Sequence, residues 1–304
     1  MAFRIRPDHR FTGEFRAVAR RQLEQAIHFL QDQPDGPHEA IHDARKKFKR
    51  LRALYRLIQS DAREFRNREN ERLRETAKSL STVRDATALV ETVSYLAGEA
   101  GSPEEFAALN TASTALLERR DRIASEEADL PAKIDAAIVA CRDAIKALDD
   151  LELDDAPRKT ARRLAKAWRK QLSRAAADLV ACEEGADAEA FHDLRKVGQT
   201  YWMHLSLLSD IWPTAMRAKQ REAKALVDIL GHEHDLSVLT QVVNENPELF
   251  GDSDSLALLI GAIIARQQDL RQRAIEQARL VFADDADTEA ARIALLWQEA
   301  ASRR

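Results

Sequence analysis

The stretch EAIHDARKKFKRLRALYRLI, residues 39–58, carries two interleaved periodicities. Ile41, Ala44, Phe48, Leu51, Tyr55 and Ile58 recur at steps of three and four, the mark of the buried stripe of an amphipathic helix. His42, Arg45, Lys49, Arg52 and Arg56 follow the same steps one residue later. At about 3.6 residues per turn they form a second stripe, about 100° around the same helix. A cationic ridge beside a packed ridge has its direction fixed by the core. From Arg45 to Arg56 seven residues are basic, Lys46 among them, and none is acidic. Solvated helix faces interleave acids with bases, because like charges four residues apart repel. The unrelieved ridge is therefore read as a site for a multivalent anion.

The same stretch opens an internal repeat. At an offset of 150 residues, EAIHDARK (39–46) falls on EAFHDLRK (189–196) with six of eight residues identical. The offset also pairs Leu80 with Leu230, Asp85 with Asp235, Leu89 with Leu239 and Val93 with Val243. Basic residues follow it too: Arg16 with Lys166, Arg20 with Lys170, Arg74 with Lys224, and Arg84 with His234. Two copies of one helical unit are expected, 1–152 and 153–304, within a single domain over 1–304. An acidic loop ending at Pro157 joins them.

Gly and Pro punctuation gives each copy about four main helices. In the first copy they span 9–31, 38–60, 63–97 with a break near Ser81, and 103–150 with a break near Pro131. The second has breakers at Gly185, Pro213, Pro247 with Gly251, and Asp284-Asp285. Short connections favour antiparallel neighbours, so the predicted fold is all-α, two four-helix bundles related by a pseudo-twofold. Composition agrees, since Ala, Leu, Arg and Glu dominate and 45% of residues are hydrophobic, enough to fill a core.

The net charge of −4 alone argues against a nucleic-acid protein, but the charge is sorted by sign. Arg158 to Arg174 holds eight basic residues and no acid, while acids gather at 149–155, 183–189 and 284–289. The N-terminal residues lack the apolar run of a secretory signal. The longest apolar run, Leu256–Ala265, is too short to span a bilayer, so no membrane partner is expected. Cys141 and Cys182 form no CxxC pair, which suits a reducing cytoplasm and implies no cysteine metal site.

The first helix of the second copy also has two stripes. Ala161, Ala165, Trp168, Leu172, Ala176 and Leu179 are apolar, and Arg162, Lys166, Arg169 and Lys170 lie beside and beyond them. Basic density is high on the second helix of one copy and the first helix of the other, since Gln199, Trp202 and Ser206 replace Lys49, Arg52 and Arg56. These two helices are expected to meet and build one lopsided cationic channel.

HDARKKFKRLRALYRL (42–57) and its echo HDLRKVGQTYWMHLSLL (192–208) resemble the CHAD family, the conserved-histidine α-helical domain. Each copy also has the later Leu-x-x-x-x-Asp element of that family, Leu80 to Asp85 and Leu230 to Asp235. The resemblance covers essentially the whole chain. It implies two repeated helical bundles and non-catalytic binding of inorganic polyphosphate in a basic groove, with polyphosphate granules as the expected location. It carries the binding role onto His42, Arg45, Lys49, Arg52, His192, Arg195 and Lys196. No triphosphate-processing CYTH domain is visible, so a stand-alone member is expected. Arg16, Arg20, Lys46, Arg56, Arg84, Arg162, Lys166, Arg169, Lys170 and Lys224 complete the candidate set. No cofactor is implied. The chemistry is consistent: polyphosphate offers no bases to stack on, and Arg and Lys bind its oxygens as forks and point charges.

Three other readings stand beside it. A nucleic-acid-binding protein would use the same stripes, although aromatics are few and no RRM, KH or helix-turn-helix signature is present. A metal-dependent phosphohydrolase could use His38-Glu39-Ala40-Ile41-His42, which spells HExxH. Against it, the repeat puts Ala188 opposite His38, and the bases that follow would repel a dication. A purely structural adaptor is the third. His234, opposite Arg84, suggests a cationic role. Asp85 and Asp235 are read as anchors for arginines, His204 as a buried histidine, and all four tryptophans as core or boundary residues.

Overall fold

The computed structural model describes residues 3–80, 82–185 and 187–302. These residues form eleven α-helices: α1 Phe11–Asp32, α2 Pro37–Arg56, α3 Arg63–Ser79, α4 Thr82–Ala97, α5 Pro103–Glu126, α6 Leu130–Asp149, α7 Pro157–Gly185, α8 Ala188–Leu207, α9 Pro213–Glu245, α10 Ser253–Val281 and α11 Ala286–Ala301. Two short 3-10 turns flank α9, and no described helix is long and apolar enough to cross a membrane. The all-helical fold expected from the sequence is the fold observed.

Local chemistry explains most boundaries. Pro37, Pro103 and Pro213 open α2, α5 and α9, where a missing backbone N–H costs nothing. Ser102, Asp187, Asp252 and Asp285 accept from the amides of Glu105, Ala190, Ser255 and Thr288, capping α5, α8, α10 and α11. Between α1 and α2, Gln33 and Gly36 take left-handed φ values of 44° and 89°. The expected third helix is divided into α3 and α4; Ser81 itself lies outside the described residues. α9 runs straight through the matching positions. The offset reappears in the helix starts, 63 with 213 and 103 with 253.

Two cores hold the helices, and both draw on both repeats. The larger joins α1, α2, α3 and α6 to α7, α8, α11, the first half of α9 and the last part of α10. The smaller packs α4 and α5 against Leu236, Leu239 and Val243 of α9 and Leu259, Ile263 and Leu270 of α10. The repeats therefore interlock at their distal ends. Ile41, Ala44, Phe48, Leu51 and Tyr55 are each at most 2% exposed. Burying one large apolar side chain is worth about 1.5–3 kcal/mol, so this stripe anchors the rotation of α2 and with it the ridge.

Candidate functional site

α2 packs on α1 and α3 and crosses α8. Lys49, Arg52 and Arg56 face Lys196, Gln199 and Met203 around a narrow cleft of about 70 Å³. One hydrogen bond ties the two helices at this crossing. The last turn of α2 tightens, so the Leu57 amide bonds to the Leu54 carbonyl. The Ala53 carbonyl, freed from the helical ladder, accepts from Nε2 of His204 on α8 at 2.9 Å. His204 is 1% exposed, and burial pushes its imidazole down to about 4, so it is neutral. Its repeat counterpart is Leu54, so the latch runs in one direction only.

Along the first half of α2, Arg45 reaches Asp85 at 3.2 Å and Lys46 reaches Asp43 at 3.0 Å. Asp85 thus anchors an arginine as expected. Arg45, Asp85, Thr92, His234 and Asp235 line a pocket of about 280 Å³ between α2, α4 and α9. Arg84 forks onto Glu91 at 2.8 and 2.9 Å. Burial, then Arg195 and Arg45, push the Lys49 ammonium down to about 8, although the residue as a whole keeps contact with solvent. Arg195 is lowered by burial, against the pull of Asp235 and Glu233, and its Nε is buried with no hydrogen-bond partner. Burial raises the Asp235 carboxyl.

Burial, then neighbouring cations, also holds His42 and His192 below the usual imidazole value. His192 stacks on His234 at 4.5 Å. His234 does not take the cationic role its match to Arg84 suggested: burial and then Arg195 and His192 push it down to about 3, so it is neutral.

Towards the end of α2, Arg52 donates to the Asn70 side chain at 3.0 Å. Burial, then Arg66, Arg52 and Arg174, push Arg56 down to about 10. Beyond it lies a pocket of about 460 Å³ lined by Gln59, Ser60, Arg63, Arg66, Asn67, Lys166 and Lys170. The basic face of α7 thus meets the tip of the α2 ridge and does not run beside it. Arg63 and Arg66 escaped the sequence reading because Glu64, Glu69 and Glu71 are interleaved with them. The available signal was the spacing of Arg63, Arg66, Asn70 and Arg74, one stripe at steps of three and four.

Other candidates point elsewhere. Arg162 is exposed and Arg169 pairs with Asp287 of α11. Arg16 donates to the Leu151 and Asp149 carbonyls and to Glu152, and Arg20 pairs with Asp149 at 2.6 Å. Both are committed to the loop joining the repeats. Lys224 is held by Asp228 at 2.5 Å, 5.8 Å from the Trp202 ring centroid. Trp168 and Trp297 are core residues, but Trp212, read as core or boundary, is 52% exposed. Nδ1 of His38 is buried without a partner, and among the described residues no group of three or more His, Cys, Asp or Glu could hold a metal ion.

The CHAD domain family model matches residues 17–244. The crystal structure of the CHAD domain from the plant Ricinus communis aligns over 93% of this chain and 95% of that one, with a TM-score of 0.62 and 18% sequence identity. No curated protein matches. With the family match covering most of its length and the fold shared with a solved CHAD domain, the chain belongs to the CHAD domain family.

Proposed function

We propose that this protein binds inorganic polyphosphate, without cleaving it, along the groove between α2 and α8. The observation that carries this reading is the unrelieved row Lys49, Arg52 and Arg56 opposite Lys196, with Lys49 and Arg56 both held below their ordinary values. Such a row is costly to the free protein and is relieved by a bound polyanion. The groove side chains are phosphate donors, Arg forks and Lys point charges. The reading includes a cytoplasmic location on polyphosphate granules, which suits the two buried thiols, each pushed up to about 12. Titration with polyphosphate of graded length, against an RNA competitor at fixed salt, tests the function. Micromolar or tighter polyphosphate binding that RNA fails to displace is expected. Equal affinity for RNA would replace this reading with the nucleic-acid one.

The groove also sets a pH dependence. A bound anion favours the charged form of Lys49, so binding takes up a proton wherever free Lys49 is neutral. Affinity is expected to fall as pH rises above about 8, the value to which Lys49 is depressed. The limit is about tenfold per pH unit for one coupled proton. His42 and His192, held below the usual imidazole value by burial and neighbouring cations, take up protons on binding in acid, so affinity rises again as pH falls. Isothermal titration in buffers of different ionisation enthalpy measures the proton uptake directly. A flat profile from pH 7 to 9.5, or Lys49→Met retaining the alkaline fall, would remove Lys49 from the coupling.

A further inference from the structure

The pocket at the tip of α2 has four cations, Arg63, Arg66, Lys166 and Lys170, and no carboxylate in its lining. Among the described residues Arg63, Lys166 and Lys170 have no ion-pair partner. Arg66 donates one bond, to Asn67 at 2.8 Å, and its Nε is buried without a partner. The adjacent carboxylate, Asp61, is already held by Arg163 at 2.7 Å. The pocket also lies at the first turn of α3, where Ala62 supplies no side-chain cap, so the positive end of that helix adds to the field.

The repeat offers no second copy of this pocket. At the matching positions Pro213 and Met216 stand in place of Arg63 and Arg66, and Asp210 in place of Ser60. Asp210 is taken by Arg4 at 3.1 Å and Met216 is buried. Arg16 and Arg20, the counterparts of Lys166 and Lys170, are committed to the inter-repeat loop. The pocket at the tip of α2 therefore has no counterpart at the positions the repeat offset matches to it.

We propose that this pocket receives the terminal phosphate of a phosphate chain, so that the groove holds polyphosphate by one end and in one direction. This rests on the polyphosphate reading of the groove. An internal phosphate of the chain carries one charge and shares two oxygens with its neighbours. A terminal one resembles a phosphomonoester, with three acceptor oxygens and a charge of about −1.5 to −2 at pH 7. Two guanidinium forks and two ammonium groups suit that end group better than an internal unit. One protein then occupies one chain end, and affinity counted per molecule levels off once the chain fills the groove.

The test compares three probes on the whole protein: a linear polyphosphate of defined length, the same chain with both ends blocked as monoamides, and glycerol phosphate. Blocking the ends is expected to weaken binding about tenfold, roughly one charge-assisted contact. In Arg63→Ala/Lys170→Ala the free and blocked chains are expected to bind within about twofold of each other. Equal binding of free and blocked chains by the unaltered protein overturns the proposal without recourse to any variant. Displacement of the chain by glycerol phosphate at matching concentration would reassign the pocket to small phosphomonoesters. Failure of every chain to bind would instead overturn the polyphosphate reading on which the proposal stands.

Discussion

Charge reversal at Arg52 and Arg56 is expected to lower polyphosphate affinity at least about 100-fold while leaving the fold as stable as before. Hydrogen bonds to charged groups are worth about 1.5–3 kcal/mol each. Losing two therefore costs a factor of about 100 or more, and the carboxylates of Arg52→Glu/Arg56→Glu add repulsion. The stability half follows from the partners these arginines lack. Arg52 bonds to a neutral amide, Asn70, so its loss strands no carboxylate. Burial, then Arg66, Arg52 and Arg174, hold Arg56 down; with Arg52 also reversed, Arg66 and Arg174 remain to offer opposite charge to a glutamate at position 56. Affinity and thermal stability thus move independently, which a residue acting only through packing would not allow. Titration and melting of the same preparations check both halves. An affinity within threefold of the parent protein would show that the ridge is a solvated face.

The ridge was legible in the sequence because it rides on a core stripe. Once Ile41, Phe48, Leu51 and Tyr55 fix the buried side, the next residue along has a defined direction. α7 had the same kind of signal, yet its bases divide. Lys166 and Lys170 share a face, whereas Arg169 sits about 60° to the other side of Lys166 and reaches α11 instead. A count of bases cannot see that split. Arg63 and Arg66 were hidden for the opposite reason, since acids of other faces dilute the charge when the chain is read linearly. Interlocking of the repeats was not legible at all. Hydrophobic period says that Leu89 and Leu239 are buried, but not that α4–α5 and the far ends of α9 and α10 bury each other. The expected cationic role of His234 fails because repeat position predicts location and not charge; burial, then Arg195 and the stacked His192, keep it neutral.

Replacing Arg163 with methionine is expected to cost about 3 kcal/mol, the lower end for removing one partner of a buried ion pair. Arg163 is 1% exposed. It donates to Asp61 at 2.7 Å and to the Asp154 carbonyl at 3.0 Å, with its guanidinium 5.1 Å from the Phe11 ring centroid. It thereby ties the turn after α2 to the loop joining the repeats. Asp61 keeps 34% of its side chain exposed, and water can partly re-solvate the orphaned carboxylate, hence the lower figure. The melting temperature should fall by roughly 5–10 °C. Burial pushes the Asp61 carboxyl up, but hydrogen bonds from Ser60 and Arg163 and the Arg163 charge outweigh it and hold the pKa down. A depressed carboxylate stabilises the fold above its unfolded value and loses that contribution as pH falls through its folded value. The difference between the two proteins should therefore narrow below about pH 4. Asp61→Asn in the same chain should recover part of the loss, because no bare charge then remains. The substitution also reaches the anion pocket. Asp61 already feels Lys166, and without Arg163 it is free to pair with that lysine and neutralise one of the four cations. Arg163→Met should then narrow the preference for free chain ends, whereas Asp61→Asn/Arg163→Met should restore it. A stability change below 1 kcal/mol, or an end preference untouched by either variant, would show that Arg163 neither braces the joint nor guards the charge of the pocket.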